Sequence, residues 1–207
     1  MLKKPANYDE IEVNLDFTPI SVGGHKGIIM GVEEYTSEFS GNTSLKVSVD
    51  TAKDDKQPSY FTEQYKNDTR PDKKWSNSAI KYVSLKEDEN CVRMLKAFIT
   101  SVENSNSGFK YDWNKDIDQL KGKKVGLVFA LEEYQNNEGE TKTIAKLNQF
   151  RSIDKIENVQ IPKVKLLNGN LVDYDDYMES KESKSLTSQA EDLFKTTIEI
   201  PDDEFPF

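Results

Sequence analysis

Aromatic rings and cations interleave through the middle of this chain, at Tyr65-Lys66, Arg70, Lys73-Lys74-Trp75 and Lys81-Tyr82, and again at Phe150-Arg151. Rings give flat apolar faces on which nucleobases stack, and Lys or Arg between them follows a phosphate backbone. Each stacked base is worth about 1–3 kcal/mol. The candidate rings are Tyr60, Tyr65, Trp75, Tyr82, Phe109, Tyr111, Trp113, Tyr134 and Phe150. The candidate cations are Lys26, Lys66, Arg70, Lys73, Lys74, Lys81, Lys123, Lys124 and Arg151. Trp75 stands between Lys74 and Ser76 in a polar stretch and has the weakest reason to be buried. About half of such a ring set serves core or rim packing, and Phe98 and Phe129, in apolar runs, are assigned to the core.

Other chemistry finds little support. His25 is the single histidine and Cys91 the single cysteine. That removes paired-histidine metal sites, cysteine zinc sites and internal disulfides, and points to a reducing cytoplasm. Gly23-Gly24-His25-Lys26-Gly27 lacks the spacing and the Gly-Lys-Ser/Thr ending of a phosphate-binding loop. Glu33-Glu34 and Glu132-Glu133 read as solvated strand ends, since adjacent strand residues face opposite sides. No catalytic residue, metal or cofactor is assigned. No window reaches the roughly 18 apolar residues of a membrane span, and Met1-Leu2-Lys3-Lys4-Pro5 does not read as a secretory signal.

A net charge of −9 argues against a polyanion ligand unless it is confined to one segment, so its placement matters. Residues 170–207 hold eleven acids and three lysines, while residues 1–169 hold 26 acids and 25 bases. Nearly all the acidity therefore lies in one terminal segment, and the near-neutral body can carry a basic face.

These residues need a scaffold. Ile11, Val13, Leu15 and Phe17 alternate as a strand or arm within residues 1–19. Residues 22–35 read as a long strand whose glycines permit a bulge, and Leu45, Val47 and Val49 as a half-buried strand. Residues 60–65 read as a third strand, and 67–81 as a long loop. Cys91, Val92, Leu95, Phe98, Ile99 and Val102 have helical spacing, with Asp88 or Asn90 as cap. Residues 125–134 form an apolar strand, 136–140 a hairpin turn, and 143–156 a returning strand with a bulge. Three strands, a helix and two strands match a mainly β, five-stranded OB-fold barrel with its helix between strands 3 and 4. The reading gives a domain over 1–168 and a disordered acidic tail over 169–207, with a short helix at 188–195.

The chain ends Asp202-Asp203-Glu204-Phe205-Pro206-Phe207. Acids followed by aromatics and an α-carboxylate suit an apolar pocket with a basic rim on a protein partner. This run resembles the acidic tip of bacterial single-stranded DNA-binding proteins, which end in several Asp followed by Ile-Pro-Phe. Phe205 stands where Ile is usual. Over roughly residues 20–165 the body is similar to single-stranded DNA-binding proteins of phages and prophages of Gram-positive bacteria. The likeness is carried by Leu120–Tyr134, Asn137–Glu140 and Phe150-Arg151-Ser152. It implies an OB-fold, cooperative coating of exposed strands, and a role in phage DNA replication or recombination in the host cytoplasm.

The DNA-contacting set inferred from the residues themselves is Tyr60, Tyr65, Lys66, Arg70, Lys73, Lys74, Trp75, Lys81, Tyr111, Trp113, Lys123, Lys124, Tyr134, Phe150 and Arg151. Residues 202–207 would recruit replication or recombination proteins. Expected partners are thus single-stranded DNA and those proteins, with no membrane, and a homo-oligomer is compatible with the sequence. The competing expectation is a protein-interaction or virion module that binds no nucleic acid.

Overall fold

The computed structural model describes residues 3–4 and 18–183. The elements run β1 (Gly23–Thr36), β2 (Thr43–Thr51), α1 (Tyr60–Asn67), β3 (Ile80–Ser84), α2 (Glu89–Ser105), β4 (Lys124–Gln135), β5 (Thr141–Arg151), β6 (Val164–Lys165) and β7 (Leu171–Val172). A last helix, α3, covers residues 174–183. The strands form one seven-stranded sheet, ordered β3-β2-β1-β4-β6-β7, with β5 on β4. The long strands pair antiparallel, while β6 meets β4 in parallel at Glu132 and Lys165.

The alternations in β1 and β2 turn one face to the core: Ile29, Val32, Leu45, Val47 and Val49 are buried. The bulge permitted by the glycine-rich start falls at Met30, which has no partner between the pairs Ile29–Val49 and Gly31–Ser48. A second bulge in β5 leaves Asn148 unpaired opposite Val128 and Phe129. Two glycines in neighbouring strands are required by close approach. A Cβ on Gly24 would sit 2.2 Å from the Ile156 carbonyl oxygen, and one on Gly126 2.5 Å from Ile156 Cγ2. The turn after β5 therefore lies directly on the β1–β4 ladder.

Helix α2 covers the core with Phe98, Ile99 and Val102. Asp88 caps it, accepting from the Cys91 N–H at 3.0 Å. Asn106 fastens its other end to β4. The amide donates to the Val102 and Lys124 carbonyls at 2.7 and 2.8 Å and accepts from the Lys124 N–H at 3.0 Å.

Residues 60–65, expected as a strand, are helical instead. The reason lies outside the segment. The buried Asp50 carboxylate accepts from the N–H groups of Phe61 (2.8 Å) and Thr62 (3.1 Å) and from the Thr62 hydroxyl. It thereby satisfies orphan donors of the first turn. Ser59, with φ of 49°, supplies no side-chain cap of its own. The third strand is Ile80–Ser84, which begins at the last two residues of the stretch expected as a loop and runs past it.

Packing also continues past residue 168. The β6–β7 hairpin and α3 lie against β4. Tyr177 is buried, and its hydroxyl donates to Glu133 Oε1 at 2.9 Å. The expected arm at 11–17, helix at 188–195 and tip at 202–207 lie outside the described residues.

Candidate nucleic-acid interface

The outer face of β1, β2 and β3 carries an aromatic pair. Glu33, Lys46 and Tyr82 stand abreast on adjacent strands, and Tyr35, Ser44 and Ser84 form the next row. The strand period of two puts all six outward. Tyr35 and Tyr82 reach across the rows to ring centroids 5.3 Å apart, and stay 42% and 47% exposed. Lys46 Nζ lies 2.6 Å from Glu33 Oε1, a bond that raises the ammonium's pKa. Phe39, fully exposed, sits in the connection between β1 and β2, four residues after Tyr35.

Beyond Tyr82 the sheet opens. β3 and β5 share no ladder, and a cavity of about 340 Å³ lies between them, floored by β4 and bordered by the C-terminal hairpin. Four lysines line it: Lys81, Lys146, Lys163 and Lys165. Glu132 receives Lys165 at 2.8 Å and Lys146 at 3.4 Å, and these bonds hold its carboxyl below the usual range. Lys163 pairs with Asp173 at 3.3 Å. The Lys81 ammonium makes no hydrogen bond or ion pair among the described residues. Burial pushes its pKa down, Lys146 and Lys165 push it further, and Glu132 opposes them.

The residues singled out from sequence spread over several surfaces. Tyr60, Tyr65, Arg70 and Lys74 line a cleft of about 790 Å³ along α1. Tyr65 is 5.9 Å from the Trp75 ring, and Lys73 lies 4.7 Å above the Tyr65 ring centre. Of the two cations lining the cleft, Arg70 grips Asp68, whose carboxyl it holds at about 2, while Lys74 makes no ion pair among the described residues; Lys66, outside the lining, pairs with Glu63. Trp75 is half-buried, not free. Its indole N–H donates to the Val49 carbonyl at 3.1 Å. Phe150 is a core residue, 8% exposed and 4.6 Å from the Phe98 ring. That removes it from any stacking role, while Arg151 next to it is exposed.

Tyr111 and Trp113 meet edge-to-face at 4.8 Å, with Tyr111 packed on the core and Trp113 largely exposed. Lys123 lies over Phe109 at 4.4 Å, and Lys124 is exposed at the start of β4. Tyr134 is exposed near the end of β4. Of the whole set only Lys81 lines the β3–β5 cavity, joined there by the candidate ring Tyr82. Tyr35, Phe39, Lys46, Lys146, Lys163 and Lys165 escaped the sequence reasoning. Period-two alternation could have placed Lys46 outward, but nothing local marks Tyr35 as the neighbour of Tyr82.

A serine–histidine–aspartate chain does occur. His25 is fully buried, with Nδ1 2.8 Å from Asp55 Oδ2 and Nε2 3.0 Å from Ser21 Oγ. Nε2 also lies 2.9 Å from the Ser21 carbonyl oxygen, which can only accept. A nitrogen donating there has no lone pair to take the hydroxyl proton. Burial pushes the Asp55 carboxyl up, but bonds from His25 and from the Gln57 and Lys26 N–H groups outweigh it and leave the pKa below normal. The group ties β1 to the turn after β2. Among the described residues no three His, Cys, Asp or Glu side chains gather as a metal site, and no helix is long and apolar enough to cross a membrane.

The sequence matches no protein-family model and no curated protein.

Proposed function

We propose that this chain binds single-stranded DNA with little sequence preference, across the outer face of β1–β3 and the adjoining β3–β5 opening. The observation that carries the reading is the exposed Tyr35–Tyr82 pair beside a lysine-lined cavity. Two rings at base-stacking height next to cations are what a flexible polyanion with aromatic bases requires. The strand order supports it as well. β3-β2-β1-β4-β5, with a helix between β3 and β4, is the order of an OB barrel whose seam lies between β3 and β5. OB barrels bind oligonucleotides on this face, flanked by the loops that here hold Phe39 and residues 136–140.

On this reading the protein acts in DNA replication or recombination, the role that a resemblance to phage and prophage single-strand binders implies. Residues 202–207 recruit partner proteins rather than touch DNA. The protein is a binder, not an enzyme. The test is a fluorescence titration of the whole chain with oligo(dT), duplex DNA and RNA over a range of salt. Tight binding to oligo(dT) that weakens with salt, and weakens again in the Y35A/Y82A double variant, supports the proposal. Absence of binding at low salt overturns it and leaves a protein-interaction module. Deleting residues 202–207 should leave oligo(dT) affinity intact or raised while partner recruitment disappears.

A further inference from the structure

Lys81 occupies a position where a lysine is out of place. Its partner across the ladder is Val47, which is fully buried, and its neighbour Val83 is buried opposite Leu45. The register therefore turns the Lys81 side chain toward the core, unlike Ile80 and Tyr82 on either side. A valine or leucine there would continue the apolar face. The ammonium escapes burial only at the β3–β5 opening, where it meets the field of Lys146 and Lys165. Desolvating a cation beside two like charges is unfavourable unless an anion joins them. The carboxylates nearby fill that role only in part: Glu132 offsets some of the field but makes no hydrogen bond to Lys81. Glu132 is held by Lys146 and Lys165, and Asp173 by Lys163. The cavity is also large enough for an oxyanion and its water.

We infer that the β3–β5 cavity is a phosphate seat, in which Lys81, with Lys146 and Lys165 around it, takes one oxyanion. Resting on the single-strand reading, its natural occupant is a phosphodiester of a strand whose bases stack on Tyr82 and Tyr35. Tyr82 follows Lys81 in β3 and also lines the cavity, so the stacking ring and the phosphate seat are on adjacent residues. Asn148, left without a ladder partner by the β5 bulge, lines the cavity too and can donate to a second oxygen.

The test compares wild type, Lys81→Met and Lys81→Arg as full chains. Methionine keeps the volume of the stem and removes the charge, whereas arginine keeps the charge. Two measurements are made on each. One is the shift of the backbone amide NMR signals of residues 80–82 and 146–148 on adding sodium phosphate, against sodium chloride of equal ionic strength. The other is oligo(dT) affinity over a range of salt. Saturable shifts with phosphate alone are expected in wild type and the arginine variant and lost in the methionine variant. Oligo(dT) affinity should fall about tenfold in Lys81→Met, as for loss of one charge-assisted hydrogen bond, and the slope of log affinity on log salt should lessen by about 0.7.

If Lys81→Met matches wild type in both measurements, the phosphate seat is overturned while the single-strand reading stands. If wild type shows the phosphate shifts but binds no oligo(dT), the seat stands as a site for free phosphate and the single-strand reading fails. Failure of Lys81→Met to fold leaves the arginine comparison decisive. Wild type and Lys81→Arg showing the shifts supports the seat, and neither showing them overturns it.

Discussion

The Trp75 indole N–H is bonded to the carbonyl oxygen of Val49, a fully buried residue of β2, at 3.1 Å. The ring that most resembles a free base-stacking platform in the sequence is therefore a strut between a loop and the sheet. Trp75→Phe keeps an aromatic surface and removes the donor. It is expected to lower unfolding free energy by about 1 kcal/mol, measured by urea denaturation, and to leave oligo(dT) affinity unchanged. A large loss of affinity without loss of stability would return Trp75 to the interface.

Tyr35→Ala and Tyr82→Ala should behave in the opposite way. Both rings are exposed, so removing them changes stability little. Each should weaken oligo(dT) binding by about 1–3 kcal/mol in a salt-independent manner. Because the rings touch, the double variant should lose less than the sum of the two.

Asp50 concentrates more backbone bonds than any surface carboxylate, and it starts α1. Asp50→Ala leaves those donors buried and unpaired. A loss of about 3 kcal/mol is expected, with loosening of the α1 cleft visible in proteolysis near residues 60–67. Asp50→Asn retains one acceptor oxygen and should lose less.

Asp55 couples stability to acid. Its folded pKa lies below the ordinary value of 3.8, so its carboxylate contributes stability that is complete above about pH 4. That contribution is lost as pH falls through the folded value. Asp55→Asn should be less stable at pH 7 and show a shallower decline on the acid side, read from urea midpoints between about pH 2 and 7. Parallel profiles for the two proteins would show that the His25–Asp55 pair carries no such coupling.

On the proposed single-strand reading, Glu33 would compete with a bound strand for Lys46. Glu33→Gln removes the carboxylate that holds the ammonium and frees it for phosphate. Oligo(dT) affinity should rise, most at low salt, and the effect should vanish in the background of Lys46→Met. An unchanged affinity would mean that phosphates do not pass over Lys46.

The parts of the fold legible in the sequence are those whose signals are local. The alternation in β2, the apolar run of β4, the Asn-Asn-Glu-Gly turn at 136–139 and the Asp88 cap of α2 each lie within a dozen residues. The signal for α1 is not local, because its capping group is ten residues upstream on another element. The aromatic run Tyr60-Phe61 then reads as strand. β3 is five residues long, with a lysine at an inward position, so no alternation survives to reveal it. The interface shares this history. Tyr82 stood among the candidate rings, but its partner Tyr35 follows Glu33-Glu34 and became its neighbour only through the β1–β2–β3 register. The lysines of the cavity come from β3, β5 and the segment that enters the β6–β7 hairpin, a convergence that spacing along the chain cannot reveal.

The bulge at Met30 divides β1 into unequal halves. Up to Ile28 the strand is laddered to β4, and beyond Met30 it keeps β2 alone. Amide hydrogens of residues 31–36 should therefore exchange with solvent faster than those of 27–28, which are laddered on both sides, in the free protein. The Tyr35 segment has protection to gain, so slowed exchange at residues 31–36 on adding oligo(dT) would support binding at this face without any substitution.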